Sequence, residues 1–177
     1  MKPFRYVKAD DIECRVATVS EKGCSLLLYK DARCDMKILD ETVGPENWQR
    51  SHELINGNLF CNVSIYDDDK EMWISKQDVG TESYTEKEKG QASDSFKRAC
   101  FNWGIGRELY TAPFIWIKSG DVTLQQKNGK FTTYDKFRVE QIIVENGVIV
   151  ALAIRNDSLK KRVFLYDVRK AIGKDQI

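Results

Sequence analysis

Apolar and polar positions alternate in short segments with clear punctuation. Glu13 to Val19 and Cys24 to Tyr29 read as strands, separated by a turn that holds Gly23. Helical spacing follows, with Met36, Leu39 and Val43 recurring between Ala32 and Val43. Gly44-Pro45 ends that segment, because glycine takes the left-handed C-terminal position and proline cannot continue the helix. Trp48 to Ile55 and Leu59 to Tyr66 then flank Asn56-Gly57, a pair suited to a two-residue hairpin in which both turn positions need positive φ. Leu59, Cys61, Val63 and Ile65 alternate with Phe60, Asn62, Ser64 and Tyr66, which predicts one apolar and one mixed face. A turn at Asp67-Asp68-Asp69-Lys70 leads to Glu71 to Val79, so three strands form an antiparallel meander.

After the meander, Gly80 to Gly90 is polar and lacks apolar periodicity, so a mobile loop is expected. Gln91 to Trp103 predicts a helix whose Ala92, Phe96, Ala99, Cys100 and Trp103 form a stripe wide enough to lie on the meander. Gly104 and Gly106 end it. Further along, Phe137 to Ala153 reads as a hairpin around Glu145-Asn146-Gly147, and Arg162 to Tyr166 adds an edge strand. The expected class is α+β, an antiparallel meander covered by a long helix with an added C-terminal β-hairpin. No linker or repeat divides residues 1–177, so a single domain is expected.

Composition narrows the chemistry. The 177 residues are 42% hydrophobic and 31% charged, and no apolar run approaches the ~20 residues of a membrane span. Met1 to Lys8 lacks the apolar core and cleavage site of a signal peptide, so a cytoplasmic location is expected. Cys14, Cys24, Cys34, Cys61 and Cys100 are odd in number and unclustered, which points to small buried side chains rather than disulfides or a zinc site. Net charge is +1 but unevenly spread: Asp67 to Asp94 sums to −5 and Arg155 to Lys174 to +5.

Catalytic signatures are sparse. His52 stands alone in a strand with charged neighbours, better suited to a surface or hydrogen-bonded role than to base catalysis. No nucleophile elbow or phosphate-cradling glycine loop ending in Lys-Ser/Thr occurs, and Gly104-Ile105-Gly106 follows a helix where a dinucleotide fingerprint must follow a strand. Asp67, Asp68 and Asp69 with Asp78 are the one carboxylate cluster that could serve a metal-dependent nuclease. Successive strand residues alternate faces, however, so a solvated turn explains them better.

A basic and aromatic set remains. Lys97 and Arg98 lie off the apolar stripe of their helix, and Phe101 follows Lys97 by one turn on the same side. An aromatic ring beside a lysine suits nucleotide stacking, although Asp94 and Arg98 are spaced to pair. Arg15, Lys30 and Arg33 add positive charge around the first hairpin, with Tyr29 beside Lys30.

Three runs in order carry a family likeness. They are Tyr-Lys-Asp-Ala-Arg-Cys-Asp-Met-Lys-Ile-Leu-Asp-Glu-Thr-Val-Gly-Pro-Glu-Asn-Trp at 29–48, Gln-Asp-Val-Gly at 77–80, and Lys-Gly-Gln-Ala-Ser-Asp-Ser-Phe-Lys-Arg-Ala at 89–99, the last followed by Trp-Gly-Ile-Gly-Arg at 103–107. Together they resemble the Rad-fifty-two superfamily of single-strand annealing proteins, most nearly its short bacteriophage and prophage members of the Sak type. The likeness covers about 12–110, which it implies is the annealing core, and leaves 111–177 as a C-terminal hairpin and basic tail. It implies a β-β-β-α core, assembly into rings or helical filaments, and single-stranded DNA held in a basic groove. By the same likeness Lys97 and Arg98 contact the backbone, Arg15 and Tyr29 line the groove floor, and Lys87 and Lys89 reach the DNA from the polar loop. Where eukaryotic members carry a third basic residue one turn on, this chain has Phe101.

The expected function is therefore ATP-independent binding and annealing of single-stranded DNA in recombination or repair, without a catalytic centre, cofactor or metal. Partners would be single-stranded DNA and further copies of the chain, with a phage exonuclease or a host single-strand-binding protein as additional candidates. Two alternatives stand beside it: protection of DNA ends without annealing, and the nuclease built on Asp67–Asp69 and Asp78.

Overall fold

The computed structural model describes residues 2–81 and 87–169, and for 87–89 the backbone alone. It is an α+β protein of mostly antiparallel strands with two α-helices. Two compact units divide the chain, one built from residues 1–5 and 31–106, the other from 6–30 and 107–177.

The first unit holds helix α1 (Ala32–Val43), strands β3 (Trp48–Ile55), β4 (Asn58–Asp67) and β5 (Met72–Val79), and helix α2 (Lys87–Asn102). Asp31 caps α1, its carboxylate accepting the Cys34 N–H at 2.9 Å. Desolvation pushes the Asp31 pKa up, but the Cys34 and Arg33 donors outweigh it and hold the carboxyl below its ordinary value. At the other end Gly44 takes φ 87°, and its N–H returns to the Asp40 carbonyl. The face that α1 buries is Cys34, Asp35, Ile38 and Leu39. Of the three apolar positions expected there, Leu39 is fully buried while Met36 and Val43 are partly covered.

Strands β3, β4 and β5 form the meander in that spatial order. Asn56 and Gly57 both adopt positive φ (50° and 77°), which gives the two-residue turn and aligns Ile55 with Asn58. On the central strand Cys61, Val63 and Ile65 are completely buried beneath α2, with Phe96, Ala99 and Cys100 above them. The opposite face carries Phe60, Asn62, Ser64 and Tyr66, register partners of Val79, Gln77, Ser75 and Trp73 on β5.

Helix α2 starts at Lys87, four residues earlier than its apolar stripe indicates, so residues 87–90 are not loop. Lysine and glutamate have good intrinsic helix propensity, and a first turn needs no apolar residue to form.

In the second unit, strands β1 (Glu13–Ser20) and β2 (Gly23–Tyr29) lie between β6 (Ile115–Lys118) on one side and β9 (Phe137–Glu145), β10 (Val148–Asn156) and β11 (Lys161–Asp167) on the other. The order β11-β10-β9-β1-β2-β6 is a six-stranded sheet, nearly closed because its two edge strands approach one another. A two-stranded ribbon, β7 (Gln125–Lys127) and β8 (Lys130–Thr132), completes the strands. The C-terminal hairpin turns at Asn146-Gly147 as its residues require, and β10 runs three residues past the expected Ala153. The end of the basic tail, from Lys170, lies outside the described residues.

Cys24, Cys34, Cys61 and Cys100 are buried and Cys14 is partly covered, all as free thiols. Burial pushes the Cys14 thiol up to about 12 and the Cys24 and Cys61 thiols up to about 11, with Asp135 adding to the rise at Cys24 and Arg50 opposing it at Cys61. A rise of two pKa units leaves a thiolate fraction roughly 100-fold smaller at pH 8. Alkylation of native protein at pH 8, read peptide by peptide, should therefore leave Cys14, Cys24 and Cys61 largely unmodified, whereas guanidinium should expose them within minutes. The raised acids contribute stability fully below pH 9 and lose it as pH climbs toward 11.

Candidate nucleic-acid interface

The site is positioned by the way α2 grips the meander. His52 approaches the Ala92 carbonyl with Nε2 at 3.2 Å, and Arg50 stacks over the Phe96 ring at 4.7 Å. On the β5 side Lys76 donates to the Asn102 carbonyl at 2.9 Å and lies over the Trp103 ring at 4.7 Å, so a cation sits at the negative end of the helix. Trp103 in turn donates Nε1 to the Val63 carbonyl at 3.0 Å.

The Gln-Asp-Val-Gly run is the clasp. The Gln77 carbonyl accepts the Asn102 amide at 3.0 Å, and Asp78 accepts Asn102 at 3.3 Å, the Val79 N–H at 2.8 Å and Arg98 Nε at 3.3 Å. At Gly80 a Cβ would stand 2.2 Å from the Gln91 carbonyl oxygen and 2.5 Å from the Ser95 nitrogen. Only a residue without a side chain lets the strand end pass that close beneath the helix.

Docked this way, α2 turns Asp94, Lys97, Arg98 and Phe101 outward along one stripe at helical spacing. Arg98 keeps 51% of its side chain exposed and Lys97 31%, while the Phe101 ring is partly exposed. Asp94 sits 3.9 Å from Lys97, not on Arg98 as its spacing suggested, and Arg98 reaches Asp78. These carboxylates are otherwise engaged: Asp94 holds the Thr81 N–H and hydroxyl at 3.0 and 3.2 Å, and Asp78 holds the strand and helix bonds above. Exposed ion pairs are worth ~0–1 kcal/mol, so either cation can turn to an external phosphate and leave both carboxylates hydrogen-bonded.

The other expected contacts divide between the units. Arg33 stands in the first turn of α1 with its side chain 87% exposed and Nε 2.7 Å from Asp31. Arg15 and Tyr29 lie in the second unit on one face of the β1–β2 pair, where Glu13 and Tyr29 are register partners and the tyrosine hydroxyl donates to the Glu13 carboxylate. Lys30 is 8% exposed, so its ammonium is not offered on an open surface, a burial that the long aliphatic stem of lysine permits. Lys87 and Lys89 fall in the first turn of α2, their side chains outside the described residues. Arg50 and Lys76, which seat α2, escaped sequence reasoning. Their signal was the period-two placement of cations opposite the apolar positions of β4.

The aspartate cluster does not converge. Asp67 is buried and accepts the Lys70 N–H within its turn, whereas Asp68 and Asp69 are exposed. Asp78 lies six positions along β5 from Met72, the register partner of Asp67, roughly 20 Å away at ~3.4 Å per residue. Among the described residues no group of three histidine, cysteine, aspartate or glutamate side chains is placed to hold a metal ion. The nuclease alternative loses its geometry.

Comparison with known proteins adds one relationship. The chain is similar to a single-stranded DNA-binding protein. That relative, the single-stranded DNA-binding protein DdrA of Deinococcus radiodurans, is 29% identical over an alignment of 102 residues that covers 54% of this chain. The match spans 46% of the relative's own length, so the chain corresponds to about half of it. No protein-family model matches, and no solved structure matches. No helix among the described residues is long and apolar enough to cross a membrane.

Gly80→Ala should reveal the clasp. The added methyl forces apart two backbones and should cost on the order of 1–3 kcal/mol, read as a lowered melting temperature. Unchanged stability would show that helix and strand do not meet as closely as described.

Proposed function

We propose that this chain binds single-stranded DNA and anneals complementary strands without nucleotide hydrolysis. The observation that carries the reading is the stripe of Lys97, Arg98 and Phe101 held outward on a helix clamped to a three-stranded meander. The likeness to a protein named for single-stranded DNA binding supports the choice of ligand. Lysine and arginine along the helix neutralise phosphates and release counterions, which holds a strand whatever its sequence. Phe101 offers a ring on which a base can stack. Arg33 adds a cation in the same unit, and in the other unit Arg15 and Tyr29 are candidate contacts in their own right.

The β3-β4-β5-α2 arrangement is in this reading a Rad-fifty-two-like core, of the kind found in the Sak-type phage proteins. Annealing then needs no active site. A strand gripped by its backbone leaves its bases free to test a second strand, and correct pairing supplies the driving energy. Assembly of several copies into a ring or filament makes the track continuous and multiplies weak contacts per subunit. Along β3 the residues from Gln49 to Leu54 are exposed, which leaves an edge strand for such assembly. A phage exonuclease or host single-strand-binding protein would act on the same DNA. Binding that shields ends without annealing is the second reading, favoured by a relative named for binding alone.

The test is anisotropy of a labelled oligo-dT across a salt titration, paired with annealing of complementary oligonucleotides. Lys97→Ala and Arg98→Ala should each flatten the log–log salt slope by ~0.7, and together by ~1.4. Wild-type affinity and slope in the double variant would refute the site. Acceleration of annealing separates the first reading from end protection, and negative-stain microscopy with and without the oligonucleotide checks assembly.

A further inference from the structure

The sheet of the second unit carries a row of arginines beyond the span that the resemblance covers. Strand register places Arg138 opposite Arg155, and Arg155 opposite Arg162, on the adjacent strands β9, β10 and β11. The row continues onto β1 and β2 through Glu13, partner of Arg138, and Tyr29, partner of Glu13. Direct cross-strand neighbours stand ~5 Å apart at Cβ, so the three arginines leave the sheet within ~10 Å of one another. Like charges directly opposite one another destabilise a sheet, yet here they occupy three strands in succession.

Carboxylates moderate the repulsion: Glu13 faces Arg138 across the strands, and Asp10 also acts on that guanidinium. Asp157 lies 2.9 Å from Arg138 and 3.7 Å from Arg155, and Glu140 lies 3.9 Å from Arg155 and 2.6 Å from Arg162. Arg138 and Arg162 engage their carboxylates through Nε, which is not the outer edge that takes a phosphate with both terminal nitrogens. The three side chains are 54%, 30% and 51% exposed, and Tyr29 at the far end of the row is 39% exposed.

We propose that Arg138, Arg155 and Arg162 form a second contact surface for a nucleic-acid backbone, on the six-stranded sheet of the second unit. A polymer with repeated negative charge complements a row of cations, and the tyrosine at its end suits a base. The assignment rests on reading the chain as a single-strand binder. Two contact surfaces of this kind would let one molecule engage two backbone segments, as pairing of strands requires.

The experiment uses the full chain and labelled oligo-dT over a salt titration. Arg138→Gln, Arg155→Gln and Arg162→Gln combined should flatten the slope by ~2, from three contacts at ~0.7 each. Asp157→Asn with Glu140→Gln should do the opposite, steepening the slope and tightening binding at least threefold, a gain that misfolding cannot mimic. An unchanged slope in the triple variant, or no tightening in the paired one, overturns the proposal. So does a triple variant that alters the self-association mass and leaves the slope intact, since the row would then face another copy of the chain. If wild type binds no oligo-dT, the functional reading falls as well. If it binds, and only Lys97→Ala and Arg98→Ala weaken it, the second surface alone is lost.

Discussion

A helix lies flat on a sheet only where the strand beneath it can come within contact distance of its backbone, and in this protein that happens at Gly80. Any larger residue would meet the Gln91 carbonyl and the Ser95 nitrogen well inside van der Waals range. With the strand end seated there, Phe96, Ala99 and Cys100 reach Cys61, Val63 and Ile65, and a dry layer closes between helix and meander. The same seating decides which side of α2 faces away. Lys97, Arg98 and Phe101 are outward because their neighbours are buried, so the candidate surface is a by-product of core packing and inherits its rigidity.

Much of this is legible in the residues themselves. The strands of the meander and the C-terminal hairpin follow from period-two alternation joined by Asn-Gly turns, and Asn56-Gly57 and Asn146-Gly147 both adopt the positive φ such turns demand. Asn128-Gly129 makes the same turn but joins Gln125–Lys127 to Lys130–Thr132, whose mostly polar residues give no alternation to read. Ile115–Lys118 is too short to announce itself and becomes a strand through pairing with Cys24–Leu26, about ninety residues earlier. Lys30 shows the opposite limit: a charged residue beside a tyrosine looks like surface, and only the packed fold reveals that it is enclosed.

Charge sums along the sequence were a poor guide to surfaces, for a physical reason. The segment of net −5 supplies Asp78 and Asp94, which serve as hydrogen-bond acceptors that fasten helix to strand. The segment of net +5 supplies Arg155 and Arg162, which are balanced in space by Glu140 from outside that segment. Folding mixes the two, and what matters locally is which cation has an edge left over.

Pairing Arg33, Lys97 and Arg98 each with a tethered carboxylate has a consequence for discrimination. A carboxylate fixed a few ångströms away competes at an effective concentration in the millimolar range or above, so a lone chloride or mononucleotide at lower concentration displaces it poorly. A long polyanion faces the same competitor at every point of contact, but once one phosphate is seated the next arrives already concentrated. In the proposed reading such a surface would filter ligands by length, ignoring small anions while remaining responsive to polymers.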